Sequence, residues 1–137
     1  ILSATTTNYS SYNFTGYISL TIFPLHFPMT LIPTAFSNDV NGELTYAQQL
    51  YGYGRPGDVF IGISTSGNAK NIMYALAVAK AAGIRTIGLT GKDGGELGRA
   101  CDVSIVVPEQ ETFKIQELHL PVYHALCLML EEHFYEV

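Results

Sequence analysis

The stretch "DVFIGISTSGNAKNI" (58–72) joins an apolar run to an alanine-rich one through a string of small polar residues. The apolar run at 59–65 has the length and composition of a strand buried in a parallel sheet. Beyond the polar residues, apolar side chains recur at helical spacing over 72–79. The stretch therefore predicts a strand, a polar turn and a helix, with Ser66 or Asn68 as the cap of that helix.

The same alternation continues along the chain, with Gly83 standing where helices commonly end. The further predicted elements are strands at 19–25, 84–91 and 103–108, a helix ending near Gly52, a short helix in the glycine-rich loop after residue 91, and a long helix from about Thr112 to Phe134. Strands and helices that alternate at this spacing form βαβ units. We therefore predict an α/β fold, a three-layer αβα sandwich around a parallel sheet.

Composition excludes several classes of function. A chain of 137 residues fits one domain with a proper core. The net charge is −5 and the seven Lys and Arg residues are scattered, so no basic face for nucleic acid is expected. Prolines interrupt the apolar N-terminal segment, which excludes a membrane helix there. Cys101 and Cys127 lack metal-ligand spacing and are expected to be reduced, as in a cytoplasmic protein.

The first part of the chain differs from the rest. Residues 1–38 contain no Asp, Glu, Lys or Arg, and residues 1–22 are polar and aromatic without a clear period. We therefore expect an atypical N-terminal segment at 1–22 and a single folded domain at 23–137.

The polar turn "STSGN" (64–68) lies where a strand ends and a helix begins. In parallel sheets ligands bind beyond the carboxyl ends of the strands, and a helix N-terminus attracts anions. Short hydroxyls add donors for phosphate oxygens, and no P-loop lysine is present. Phosphate binding is the favoured interpretation, and a serine-rich capped turn is the alternative. For the second glycine-rich loop, "GKDGGELG" (91–98), a flexible connection and a ligand loop both stay open.

The last helix combines apolar and functional residue types. Residues 118–130 are apolar nearly all round, which is typical of a buried helix or of one packed on a second copy. A lone histidine on such a helix is most often a core residue. With Gln116 near it on the helix surface, His124 is nevertheless a candidate acid/base group or ligand, whereas His119 points elsewhere. Upstream, Asp39 is by default a turn or cap residue.

Three stretches together, "DVFIGISTSGNAKNI", "TIGLTGKDGGELG" and "KIQELHLPVYHALC", resemble the SIS (sugar isomerase) domain. More narrowly they are similar to the phosphoheptose isomerases, which convert sedoheptulose 7-phosphate to glycero-manno-heptose 7-phosphate. The resemblance implies a flavodoxin-like fold, a sugar phosphate substrate, a zinc ion and a homotetramer with sites at subunit contacts.

The resemblance also implies roles for individual residues. It assigns Ser64, Thr65 and Ser66 to the substrate phosphate, and makes Asn38 and Asp39 substrate contacts. Gln116 and His124 fall where family members bind zinc, with Gln116 also beside the substrate and His124 also an acid/base group.

The sequence departs from the family in two places. Ala69 stands where many members have a further serine. The family's earlier glycine-rich loop, with its following His and Glu, has no counterpart, so the N-terminal part is missing from this chain or divergent. An aldose–ketose isomerase in heptose biosynthesis is the first hypothesis. The second is a non-catalytic SIS module that binds a sugar phosphate or a protein partner for regulation.

Overall fold

The computed structural model describes residues 2–5, 17–20, 35 and 37–135. The elements in chain order are β1 (Leu2–Thr5), β2 (Tyr17–Leu20), a π-helical turn (Ser37–Asn41), a 3₁₀ turn (Gly42–Leu44), α1 (Thr45–Tyr53), β3 (Val59–Ser64), α2 (Lys70–Ala81), β4 (Arg85–Thr90), α3 (Gly95–Ala100), β5 (Val103–Val106) and α4 (Thr112–Phe134). All the elements predicted after residue 58 are present.

The strands form one five-stranded sheet in the order β2-β1-β3-β4-β5. β3, β4 and β5 are parallel, which confirms the predicted α/β fold. β1 pairs antiparallel with both β2 and β3 and so extends one side of the sheet. The strand predicted at 19–25 is seen as β2, at 17–20. Residues 21–25 lie outside the described residues, as does the boundary expected between 22 and 23.

One face of the sheet carries α1, α2 and α3. The core on this face includes Phe60 from β3 together with Ala75, Leu76 and Ala79 from α2. Two strand glycines allow the helices to approach closely. A Cβ added at Gly62 would lie 3.0 Å from Ile72 of α2 and 3.2 Å from Leu97 of α3. Because only a bare backbone fits there, the helical layer lies directly on the strands.

The other face carries α4. Ile115 of this helix is completely buried, and a Cβ added at Gly91 would lie 2.5 Å from it. Gly91 follows β4, and strand alternation puts it on the face opposite that of Gly88, which packs against Leu97. Helices on both faces make the three-layer αβα sandwich that was predicted.

Of the two expectations for α4, burial in the core of the single chain does not hold, and packing on a second copy stays a prediction. Only Ile115 and His119 of its 23 residues are buried, and they contact Gly91 and Thr90 at the end of β4. Its large exposed apolar side chains are Phe113, Leu118, Leu120, Leu128, Met129 and Phe134. Even so, neither α4 nor any other helix in the described part of the chain is long and apolar enough to cross a membrane.

A polar brace holds the start of β4. The Asp102 carboxylate accepts hydrogen bonds from the Thr86 backbone N–H at 2.8 Å and from the Thr86 hydroxyl at 2.9 Å. The Asp102 N–H donates back to the Thr86 hydroxyl at 2.9 Å. The two Thr86 donors, the backbone N–H above all, lower the pKa of Asp102. Next to it, burial raises the pKa of the Cys101 thiol, and both cysteines are free, as expected.

Replacement of Asp102 by Asn tests the brace. A carboxyl whose pKa is lower in the folded state stabilises the fold above its unfolded pKa of about 3.9. That contribution is lost as pH falls through the folded-state pKa. We expect Asp102→Asn to lower the melting temperature at pH 7, and the difference from wild type to shrink below about pH 4. Thermal melts across pH measure this, with Glu132→Gln, an exposed carboxylate on α4, as the control. A difference independent of pH would contradict the brace.

Candidate functional site

The predicted phosphate loop, residues 64–68, lies at the carboxyl edge of the parallel strands. Ser64 is the last residue of β3 and pairs in register with Thr90, the last residue of β4. The two polar loops that follow these strands therefore leave the sheet side by side. This is the position that the order of strands and helices predicted for a site.

Inside the loop, a tight turn holds the hydroxyls. The Gly67 N–H donates to the Ser64 carbonyl at 3.0 Å, and Gly67 has φ +67°, which favours glycine. Ser66 Oγ accepts from the Asn68 N–H at 3.2 Å. An acceptor bond leaves the hydroxyl proton of Ser66 free to donate. Ser66 is half-buried, so this donor is held in place and still reaches solvent.

The two loops are tied together by three hydrogen bonds. The Leu97 N–H donates to the Gly67 carbonyl at 2.8 Å and the Gly91 N–H to the Thr65 carbonyl at 3.2 Å. The Glu96 N–H donates to Asn68 Oδ1 at 3.0 Å. A Cβ at Gly67 would collide with the Gly94 carbonyl, so the backbones touch. The loop at 91–98 thus supports the loop at 64–68. This role differs from both interpretations left open above, a flexible connection and a ligand loop.

The predicted cap of α2 is wrong. The N-cap position is Ala69, and no side chain caps this helix. Asn68 instead bonds across to α3 through Oδ1, while its Nδ2 donates to the Ser66 carbonyl at 3.0 Å. Because the two loops are close, the Asn68 side chain bonds to α3 and does not cap α2. At the start of α2, a 12-residue helix, the Ile72 N–H donates to Asn71 Oδ1 at 2.9 Å. The N–H groups of Lys70 and Asn71 have no acceptor in the described part of the chain, so they and the helix dipole can attract an anion.

Asn38 and Asp39 lie in the π-helical turn and are exposed. The turn that follows contacts the start of α2, where Glu43 forms an ion pair with Lys70 at 3.6 Å. In the described part of the chain no hydrogen bond joins Asn38 or Asp39 to the loop at 64–68. The structure thus brings this region toward α2 without joining the two predicted substrate contacts to the phosphate loop.

His119 and His124 of α4 lie in different environments. His119 is 3% exposed and its Nε2 lies 3.1 Å from the Thr90 carbonyl, so it is the core histidine of this helix. His124 is exposed, with its ring edge-to-face against Tyr123. Gln116 is exposed too. Gln116 and His124, the two predicted functional residues of α4, are therefore accessible to a ligand.

The predicted zinc site is not complete among the described residues. No group of three or more His, Cys, Asp and Glu in residues 37–135 could hold a metal ion. Gln116 and His124 supply two ligands at most. A zinc site usually takes three or four protein ligands. Gln116 and His124 therefore do not form a metal site by themselves.

Sequence reasoning missed the roles of His119 and Asn68. The available signal for His119 was its spacing of four from Ile115, which places both on one helix face. For Asn68 no local signal existed, since its partner is 28 residues away.

Comparison with known proteins points in one direction. A family model described as SIS domain matches residues 8–91. A phosphoheptose isomerase of Nitratiruptor sp. is 48% identical over 101 residues, which is 74% of this chain and 54% of that relative. One of Aneurinibacillus thermoaerophilus is 48% identical over 103 residues, 75% of this chain and 52% of the relative. The chain thus spans about half the length of these relatives.

Solved structures agree. A phosphoheptose isomerase from Neisseria gonorrhoeae superposes with a TM-score of 0.69 at 40% identity, covering 72% of this chain and 56% of that one. One from Francisella tularensis gives 0.72 at 30% identity, with 75% and 58% coverage. The sandwich, the loop at the end of β3 and the match over residues 8–91 lead to one conclusion: the chain belongs to the SIS domain family.

Proposed function

We propose that the protein is a phosphosugar aldose–ketose isomerase that converts sedoheptulose 7-phosphate to D-glycero-D-manno-heptose 7-phosphate in heptose biosynthesis. The observation that carries the proposal is the hydroxyl loop at 64–68, which faces a helix N-terminus that no side chain caps. The similarity to proteins named phosphoheptose isomerase supports the reaction and the substrate.

The phosphate is held by local dipoles. The chain has a net charge of −5, so a basic field does not attract the substrate. In the proposal the Ser66 hydroxyl donates to a phosphate oxygen, Ser64 and Thr65 line the same turn, and the first N–H groups of α2 face the dianion. Hydrogen bonds to a charged group are each worth about 1.5–3 kcal/mol, enough for a site without lysine.

The reaction moves protons at two neighbouring carbons. A base removes the proton from the carbon beside the carbonyl, and the carbonyl oxygen gains a proton, which gives an enediol. The enediol is then protonated at the former carbonyl carbon, while the hydroxyl on the carbon that lost its proton gives up its own proton and becomes the new carbonyl. His124 is proposed as one of the acid/base groups, because its imidazole is exposed on α4 and histidine is the side chain most often used for proton transfer in enzymes. Asn38, Asp39 and Gln116 are proposed to contact the sugar.

The metal, the assembly and the location are proposed from the resemblance to the family. We propose a zinc ion with Gln116 and His124 as two of its ligands. Its other ligands would not come from residues 37–135 of the same subunit. The exposed apolar side chains of α4 support a homotetramer, since exposed patches of this kind mark interfaces between subunits. A cytoplasmic location agrees with two free cysteines.

Removal of one hydroxyl tests the phosphate site. Ser66→Ala should weaken binding of sedoheptulose 7-phosphate by about 1.5–3 kcal/mol, because a donor to a charged group is lost. The fold should survive, since the bonds of Asn68 to α3 and to the Ser66 carbonyl do not use this hydroxyl. Calorimetry measures the change, and Ser104→Ala on β5 is the matched control. Unchanged affinity in Ser66→Ala would refute the phosphate loop.

Replacement of His124 tests catalysis. In the full-length protein, His124→Gln should lower turnover by about 10²-fold or more, as loss of an acid/base group does. The melting temperature should change little, because the side chain is exposed. His133→Gln, also exposed on α4, is the control and should keep wild-type turnover. Absence of isomerisation in the wild-type protein together with retained sugar-phosphate binding would favour the non-catalytic SIS module.

Assembly tests the exposed face of α4. Light scattering at micromolar concentration should report a tetramer for the full-length protein. Leu128→Lys combined with Met129→Glu leaves the net charge unchanged and should shift the mass toward smaller species, because both side chains are about two-thirds exposed in the single chain, at 65% and 64%. Tyr51→Lys, which changes an exposed residue of α1, is the control. A monomeric wild type would contradict the proposed assembly.

A further inference from the structure

The helix α4 is attached to the sheet by two side chains. Ile115 and His119 are its only buried residues, and they are four apart, so they lie on one helix face. They contact consecutive positions on the sheet side. Ile115 packs on Gly91, and His119 Nε2 lies 3.1 Å from the Thr90 carbonyl. A carbonyl only accepts, so Nε2 carries the proton of this bond.

The same two positions hold the phosphate loop. Thr90 pairs in register with Ser64, the first hydroxyl residue of the loop. The Gly91 N–H donates to the Thr65 carbonyl at 3.2 Å. One point at the end of β4 therefore sets the position of the loop that binds phosphate and of the helix that carries Gln116 and His124.

The bond from His119 is not needed to hold the sheet together. The Thr90 carbonyl also accepts from the Val107 N–H at 2.9 Å, so without His119 it still has a partner. A histidine that is 3% exposed is costly to bury unless its N–H is hydrogen-bonded, and a leucine would fill similar space without that cost. A hydrogen bond is directional, so the His119 side chain sets the position of α4 along β4.

We propose that His119 is a positioning residue, which sets the register of α4 on the end of β4 and thereby the distance from Gln116 and His124 to the phosphate loop. The inference rests on the proposed isomerase function. It assigns to His119 no contact with substrate. Its effect is on geometry at the reacting carbons, several bonds away from the phosphate.

Two variants of the full-length protein distinguish a role of His119 in positioning α4 from a role in filling space. His119→Leu keeps the volume and loses the N–H, whereas His119→Gln places an amide N–H near the position of Nε2. We expect His119→Leu to lower kcat at least about tenfold, because misplacement by about 1 Å can cost a hundredfold. The KM for sedoheptulose 7-phosphate should change by less than about twofold, since the loop's own hydrogen bonds are intact. His119→Gln should recover most of kcat, and His133→Leu is the control.

The outcomes decide the proposal in either direction. Wild-type kcat per folded molecule in His119→Leu, or equal losses in the Leu and Gln variants, would overturn it. Hydrogen exchange gives a second readout that does not depend on activity: backbone amides of α4 should lose protection in His119→Leu and keep it in His119→Gln. If the wild-type protein isomerises no sugar phosphate, the proposed function fails, and hydrogen exchange alone decides the attachment of α4. Equal protection in both variants would then refute it.

Discussion

The contact between two glycine-rich loops is the constraint on which the site depends. Gly67 at φ +67° lies against the Gly94 carbonyl, and no side chain fits between them. This closeness lets the Leu97 N–H reach the Gly67 carbonyl and lets Asn68 cap α3. Because Asn68 is drawn across to α3, α2 begins without a side-chain cap. The uncapped start of α2, where we propose that the phosphate binds, is thus a consequence of how the neighbouring loop packs.

A second constraint is the shared edge of β3 and β4. The pairing of Ser64 with Thr90 puts a hydroxyl loop and a docking point for α4 at the same height of the sheet. The Thr90 carbonyl joins β5 and α4 through its two acceptor positions, one used by Val107 and the other by His119. The proposed phosphate loop and the helix that carries Gln116 and His124 are therefore linked through backbone atoms of β4, which are fixed within the sheet.

Local patterns predicted most of the fold, and long-range contacts account for what they did not. The apolar run at 59–65 and the spacing over 72–79 gave β3 and α2 nearly to the residue. The cap of α2 was predicted wrongly because Asn68 has a partner 28 residues away. The apolar composition of 118–130 did not distinguish a buried helix from one packed on a second copy, and the single chain leaves most of this helix exposed. Of the candidate site, the position of residues 64–68 followed from strand order, but which histidine of α4 is buried did not.

The central claim is that residues 64–68 and the start of α2 hold the phosphate of the substrate. Amide chemical shifts in a titration with sedoheptulose 7-phosphate test it most directly. We expect the largest changes at the backbone N–H groups of residues 69–71, at the start of α2, which have no hydrogen-bond acceptor in the described part of the chain, and at Ser66 beside them. The N–H groups of Glu96 and Leu97 are already bonded to Asn68 and Gly67 and should move little. Changes concentrated at residues 95–97, or none at 66–71 at saturation, would contradict it.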